Sequence, residues 1–251
     1  MTFSWNASSY DQLPLPHESW GRDLLDRAAL QGDESVVELG AGTGRDTLSI
    51  ARSLTTGHVT ALDRSTTMLS RLRGKLPKEL ASKVSLRESD LNEPLPIPDQ
   101  SCDLVFSVAT LHWLRDHRPL AREVARVLKP GGRFLFECGG AGNIAHVRAA
   151  LRSVLGTEYS EAHWNFPQPA DERELLRRCG FQHVEAHLRE SPTPPMDEAT
   201  FRDYLQTVVL GPYTSEMNPT DLDAFISEIR RHLVRPVVDY VRLEVTASHP
   251  S

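Results

Sequence analysis

The chain has 251 residues, enough for one large α/β domain with its own core and few for two domains of ordinary size. Apolar residues make up 39% and charged residues 25%, the proportions of a soluble globular protein, and no run is long and apolar enough to cross a bilayer. A net charge of −6 with scattered Lys and Arg argues against a nucleic-acid surface, and without a basic and apolar leader a cytoplasmic location is expected.

In chain order, short apolar runs alternate with segments of helical period, the pattern of stacked βαβ units. His17–Leu30 reads as an amphipathic helix carrying Trp20, Leu24, Leu25 and Ala28 on one face. A strand is predicted over Ser35–Leu39 and a helix over Arg45–Leu54, then the same unit again as His58–Leu62 and Thr66–Leu76, with a third strand at Val84–Arg87. The fourth strand, Asp103–Ser107, precedes a helix over His117–Leu128 whose apolar face holds Leu120, Val124 and Val127. Lys129-Pro130-Gly131-Gly132 is expected to stop that helix and turn the chain into a strand over Arg133–Glu137.

Beyond residue 140 the pattern becomes more helical. Helices are predicted over Ile144–Leu155, Glu172–Arg178, Glu198–Val209 and Asp221–Arg235, and strands over Gln182–Leu188 and Val238–Ala247. Pro192–Pro195 fits neither a helix interior nor a central strand, so it reads as a stiff connection into a helical insert. The expected architecture is one Rossmann-like α/β domain, a seven-stranded, mostly parallel sheet with helices on both faces. Within it, residues 1–34 form an N-terminal flap and helix, 35–140 a ligand-binding core, 141–236 a helical cap with one strand, and 237–251 the last strand and tail. Cys102, Cys138 and Cys179 are odd in number and widely spaced, which suggests reduced, mostly buried thiols and neither a disulfide framework nor a metal site.

The chemistry-bearing motif begins at Val36. Val36-Val37-Glu38-Leu39-Gly40-Ala41-Gly42-Thr43-Gly44 is a strand running into glycines and then a helix, which lets the backbone approach a ligand at the helix N-terminus. Its Gly-x-Gly-x-Gly spacing after Glu38 differs from the Gly-x-Gly-x-x-Gly of nicotinamide sites and suits a nucleoside without a pyrophosphate, although a turn that merely packs helix on strand would look alike. Asp63 ends the second strand, where a carboxylate can accept both ribose hydroxyls or cap the next helix. Asp90 follows the third strand and can meet an adenine amino group or cap a turn. Three strand ends thus converge on one crevice.

These blocks, with Ser101–Ser107 and Leu128–Gly132, resemble class I S-adenosylmethionine-dependent methyltransferases across residues 35 to 137. Trp5-Asn6 with Tyr10, the stretch Ala109–His117, Gly139–Ile144 and Asp239–Leu243 are similar to the trans-aconitate methyltransferase subgroup. The resemblance implies S-adenosylmethionine as cofactor. It places Glu38, Gly40, Ala41 and Gly42 at the methionyl and ribose parts, Asp63 and Arg64 at the ribose, and Ser89, Asp90, Leu91 and Met68 at the adenine. Ser107 and Val108 would line the methionyl end, and Trp5 and Tyr10 would fold over the bound cofactor. Relatives often carry an arginine just ahead of the first helix for the cofactor carboxylate; this sequence departs from that pattern, with His17-Glu18-Ser19 in its place.

Methyl transfer is an in-line displacement at a sulfonium, so alignment and exclusion of water come first, and a base helps only acceptors that are not already ionised. His112 is the candidate catalytic residue, after the fourth strand at the crevice mouth. The resembling trans-aconitate enzyme has glutamine in that place, which leaves substrate positioning open beside proton removal. His17, Trp113 and Tyr213 are candidates for the substrate side. The expected acceptor is a small molecule methylated on a carboxylate or hydroxyl oxygen, with a carbon or nitrogen acceptor, or cofactor binding without transfer, as the alternatives. No nucleic-acid or membrane partner is expected.

Overall fold

A computed structural model describes residues 13, 16–156, 163–215 and 217–251. Among these residues the first helix is α1 (His17–Ala28), followed by β1 (Ser35–Leu39), α2 (Arg45–Ser53), β2 (His58–Asp63), α3 (Thr66–Lys75) and β3 (Val84–Glu88). Then come β4 (Cys102–Val108), α4 (Arg118–Val127), β5 (Leu128–Gly139), α5 (Ala145–Leu155), α6 (Pro169–Arg178) and β6 (Gln182–Glu190). The chain closes with α7 (Glu198–Tyr204), a π-helical turn over Leu205–Val209, α8 (Gly211–Thr214), α9 (Pro219–Arg231) and β7 (Val241–Ser248).

The seven strands form one sheet in the order β3-β2-β1-β4-β5-β7-β6. Strands β1 to β5 run parallel, and β7 lies antiparallel between β5 and β6. The near-continuous apolar runs of β1 and β4 follow from this, since a central parallel strand is covered on both faces. Val37 and Val105 pack with α4 and α6 on one face, while Val36, Leu104 and Phe106 pack with α1 and α2 on the other. A third apolar core joins α5, α7, the π turn and α9 around Trp20 of α1. Because β1 has β2 on one side and β4 on the other, the strand order reverses there, which opens a crevice at the carboxyl ends of the strands. No helix among the described residues is long and apolar enough to cross a membrane.

Four differences from the sequence expectation bear on the architecture. Pro130-Gly131-Gly132 does not separate helix from strand: β5 starts at Leu128 and takes these residues in as an irregularity, its register with β4 jumping from Cys102↔Leu128 to Leu104↔Arg133. The last residues pin this stretch, with the Gly131 amide donating to Pro250 O and the His249 amide to Gly132 O. The helix expected over Glu198–Val209 loosens at Leu205, where the Leu210 amide reaches back five residues to Leu205 O at 2.7 Å. The helix expected to run to Arg235 stops at Arg231. Val238–Tyr240 precede β7 because they pair instead with the Pro192–Pro195 connection, through Thr193 N–H to Val238 O and Ser191 N–H to Tyr240 O.

Candidate active site

One cavity of about 570 Å³ opens at this crevice, within the usual range of small-ligand sites (about 300–1,000 Å³). Its floor is the loop Gly40 to Thr43, which joins β1 to α2. Gly42 has φ +54°, and a Cβ built on it meets nothing within 4 Å, so its open side faces ligand space that a larger residue would enter.

Asp63 braces this loop. Its Oδ2 accepts the Gly42 amide and its Oδ1 the Ser65 amide, each at 2.8 Å. A carboxylate oxygen has two lone pairs, so each keeps one for a ligand hydroxyl. Burial raises the Asp63 carboxyl above its ordinary pKa, opposed by these two amides. Helix α3 is capped by Ser65, which accepts the Met68 amide, so Asp63 is not itself the cap residue. Asp90 is exposed on the cavity rim and accepts both Asn92 donors on Oδ1, which lowers its pKa. Arg64, Met68, Ser89 and Leu91 complete this end of the wall.

Two residues expected at the cofactor lie behind the wall. Glu38 is buried beneath the loop and accepts the Thr47 hydroxyl, so it braces α2 against β1, and burial pushes its carboxyl well up in pKa. Ser107 donates its hydroxyl to Leu39 O at 2.8 Å, clamping β4 to β1, while the next residue, Val108, lines the cavity. Strand alternation accounts for the difference.

Past Val108 the wall turns aromatic. His112 is buried, stands in the 3₁₀ turn Leu111–Trp113, and accepts the Gly139 amide on Nδ1 at 3.4 Å. Its ring lies 4.9 Å from Trp113 and 6.0 Å from Phe166, and Trp164 and His163 continue the surface. Tyr213 sits behind this layer, 4.7 Å from the His163 ring and 5.6 Å from Trp164. Trp5, Tyr10 and the side chain of His17 lie outside the described residues.

Ala109 (φ +55°) and Ile144 (φ +46°), two non-glycine residues in the left-handed region, both line this part of the cavity. For β-branched Ile144 the conformation is an outlier, and such strain concentrates at ligand sites. It is held by the Ile144 amide on Asp239 O and by the neighbouring Asn143 side chain, which accepts the Val241 amide. Sequence reasoning gave no role to Asp46, Asn143, Tyr240 or Arg242, all on the wall. The last three fall in the short stretches that resemble the trans-aconitate subgroup, and that was the available signal. Asp46, beside Arg45 in the first turn of α2, has its carboxyl pushed up to about 6 by burial, with Arg45 opposing and Glu137 and Glu18 adding to the rise.

Glycine loop, strand-end acids and strand order together define an α/β nucleoside-binding enzyme of the methyltransferase type. Residues 37–136 match the family model described as a methyltransferase domain. The malonyl-[acyl-carrier protein] O-methyltransferase of Methylococcus capsulatus is 31% identical over 75% of this chain and 67% of its own length. A trans-aconitate 2-methyltransferase from Deinococcus radiodurans is 27% identical over 92% of this chain and 90% of its own. In fold, the YcgJ protein of Bacillus subtilis aligns with a TM-score of 0.69 at 18% identity, covering 94% of this chain and 99% of that one. The chain belongs to the class I S-adenosylmethionine-dependent methyltransferases.

Proposed function

We propose that this enzyme methylates an oxygen of a small molecule, foremost a carboxylate, with a hydroxyl as the nearest variant. The observation that carries the reading is the Gly139 N–H on His112 Nδ1. An imidazole nitrogen that accepts is unprotonated, so in the neutral ring Nε2 carries the proton and His112 offers a donor rather than a base. A carboxylate, already ionised at neutral pH, needs its non-reacting oxygen held and no proton removed. Two relatives are named for acceptors that are themselves acids, malonyl-[acyl-carrier protein] and trans-aconitate.

S-adenosylmethionine supplies a methyl group made electrophilic by the sulfonium. The residues then divide as follows. Asp63 accepts ribose hydroxyls on its remaining lone pairs, with Arg64 beside it. Ser89, Asp90, Leu91 and Met68 hold the adenine, and Gly40, Ala41, Gly42 and Val108 border the methionyl chain. Residues 141–236 act as the substrate cap, bringing Trp164 and Phe166 opposite His112 and Trp113, an apolar wall that excludes water and fixes the approach line. Free thiols at Cys102, Cys138 and Cys179 suit a reducing, cytoplasmic setting.

The test is homocysteine-product formation from S-adenosylmethionine with a panel of small di- and tricarboxylic acids, phenols and amines. Turnover of a carboxylate is expected, with His112→Gln retaining activity to within about tenfold because an amide also donates, whereas loss of a general base costs about 10²- to 10⁴-fold. Turnover confined to phenols or amines, with a loss of that larger size in His112→Gln, contradicts the reading. Tight cofactor binding with no product across the panel points to a protein that binds without transferring.

A further inference from the structure

Arg242 lines the cavity near the start of β7, yet it is only 1% exposed. Its guanidinium is fixed from several directions. Nε donates to Glu137 Oε1 at 3.1 Å, and Cζ lies 3.9 Å from the Trp20 ring centroid and 5.9 Å from that of Tyr240. The backbone beneath is equally set, since Arg242 pairs with Gly139 of β5 on one side and Arg189 of β6 on the other. Glu137 and Glu244 are the buried acids here, but Arg27, Arg189 and His187 engage Glu244, and Arg189 also approaches Glu137.

A guanidinium has five N–H donors, and among the described residues only the one at Nε is used. Nη2 is buried with no hydrogen-bond partner. Leaving a desolvated charged donor unpaired is costly, so its position on a ligand cavity wall, stacked and locked in register, is that of a receptor awaiting its anion. The planar fork matches a carboxylate.

We propose that Arg242 binds a carboxylate inside the cavity. Two sources carry that group: the α-carboxylate at the methionyl end of the cofactor, and the acceptor. The first follows from the family alone, while the second also rests on the acid-acceptor reading above, so the arms below fail separately. On this proposal helix α1 contributes Trp20 as a stacking support while the cation comes from β7.

The experiment compares wild type with Arg242→Gln and Arg242→Lys by calorimetry. The probes are S-adenosylhomocysteine, then 5′-methylthioadenosine, which keeps the nucleoside and thioether but has no amino-acid group, and malonate as a simple dicarboxylate. If the cofactor carboxylate is the guest, Arg242→Gln weakens S-adenosylhomocysteine by roughly tenfold or more and leaves methylthioadenosine unchanged, with partial recovery in Arg242→Lys. If the acceptor is the guest, S-adenosylhomocysteine is unchanged and malonate binding to the cofactor-loaded enzyme weakens by a similar factor. The proposal is overturned if all three ligands bind as in wild type while the melting temperature falls, which would leave Arg242 as the structural partner of Glu137. Equal weakening of the two nucleosides also overturns it. Should Arg242→Gln not fold, Arg242→Lys keeps the charge against Glu137, loses the planar fork, and is read by the same comparisons.

Discussion

Removing the Glu172 carboxylate should destabilise the enzyme most at mildly acidic pH, and the reason lies in His117. Its Nδ1 is 3.0 Å from both Glu172 oxygens, and its Nε2 is 2.9 Å from Leu111 O. Both partners are acceptors, so both ring nitrogens carry protons and the ring is an imidazolium. Burial alone would lower the His117 pKa, but the hydrogen bond and charge of Glu172, with help from Leu111 O, carry it above its ordinary value. A group whose pKa rises on folding contributes fully below its unfolded pKa, about 6.5 for histidine, and loses that contribution as pH climbs through the folded value. The two side chains are 2% and 3% exposed, so solvent screens them little. Breaking one side of such a buried pair costs about 3–5 kcal/mol, and for a chain of this size each kcal/mol moves the melting temperature by about 2–4 °C. Glu172→Gln should therefore melt roughly 6–20 °C lower near pH 6.5 and show a flatter pH dependence above it. Circular-dichroism melts of both proteins from pH 6 to 9 are the assay. A variant that melts with wild type, or whose melting temperature falls in parallel with it as pH rises, refutes the imidazolium assignment. Because His117 holds the carbonyl of Leu111, adjacent to His112, activity should decline over the same interval.

The cavity yields three further expectations. Asp63→Ala should weaken S-adenosylhomocysteine binding by about 1–3 kcal/mol in calorimetry, and unchanged affinity would remove Asp63 from the ribose. Gly42→Ala and Gly44→Ala should separate binding from folding: a Cβ at Gly42 enters open ligand space, whereas one at Gly44 would lie 1.9 Å from Leu72 Cδ1. The first should bind cofactor poorly while melting lower only by the strain of a left-handed residue, about 1–2 kcal/mol; the second should lose much more stability, and equal melting of the two contradicts the assignment. Ala109→Gly should relieve strain at φ +55° and hold or raise the melting temperature, and a clear drop would mean that the alanine methyl packs usefully.

The half of the molecule proposed to hold the nucleoside was legible because its determinants are local. Glycines after β1, acids at the ends of β2 and β3, and the alternation of strand with helix all sit within a few residues of the features they specify. Glu38 and Ser107 were recognised at the correct strand ends, but which way a side chain turns depends on the neighbouring element. For Glu38 that element is Thr47 of α2, and for Ser107 it is the carbonyl of Leu39. The other half is non-local: Tyr240 and Arg242 reach the cavity because β7 inserts between β5 and β6, pairing Gly139 with Arg242 across a hundred residues of intervening chain. Trp164 and Phe166 lie in an irregular stretch with no period to betray them. The Pro-Gly-Gly stretch misled for a related reason, since its local turn character is overridden by a β5 register that the chain terminus supports.

This division bears on how specificity is built. The parallel strands β1 to β4 end in loops braced by one another, as when Asp63 holds the Gly42 amide. The wall beyond Val108 is assembled from separate pieces: the His112 turn, the segment with Trp164 and Phe166, the π turn with Val208 and Val209, and the start of β7. These pieces share one apolar cluster and lean on each other as well as on the sheet. The His112 turn leans on His117, the aromatic segment bonds to it through the Asn165 amide on His112 O, and Arg242 rests on Trp20 and Glu137. The strained residues Ala109 and Ile144 lie where this wall meets the sheet, after β4 and after β5, so the stored energy falls on the boundary between the two halves rather than within the nucleoside site. If the proposed acceptor pocket lies here, substitution at Trp164 or Val209 should alter the choice of acceptor more than cofactor affinity, which calorimetry with S-adenosylhomocysteine beside an acceptor panel would check.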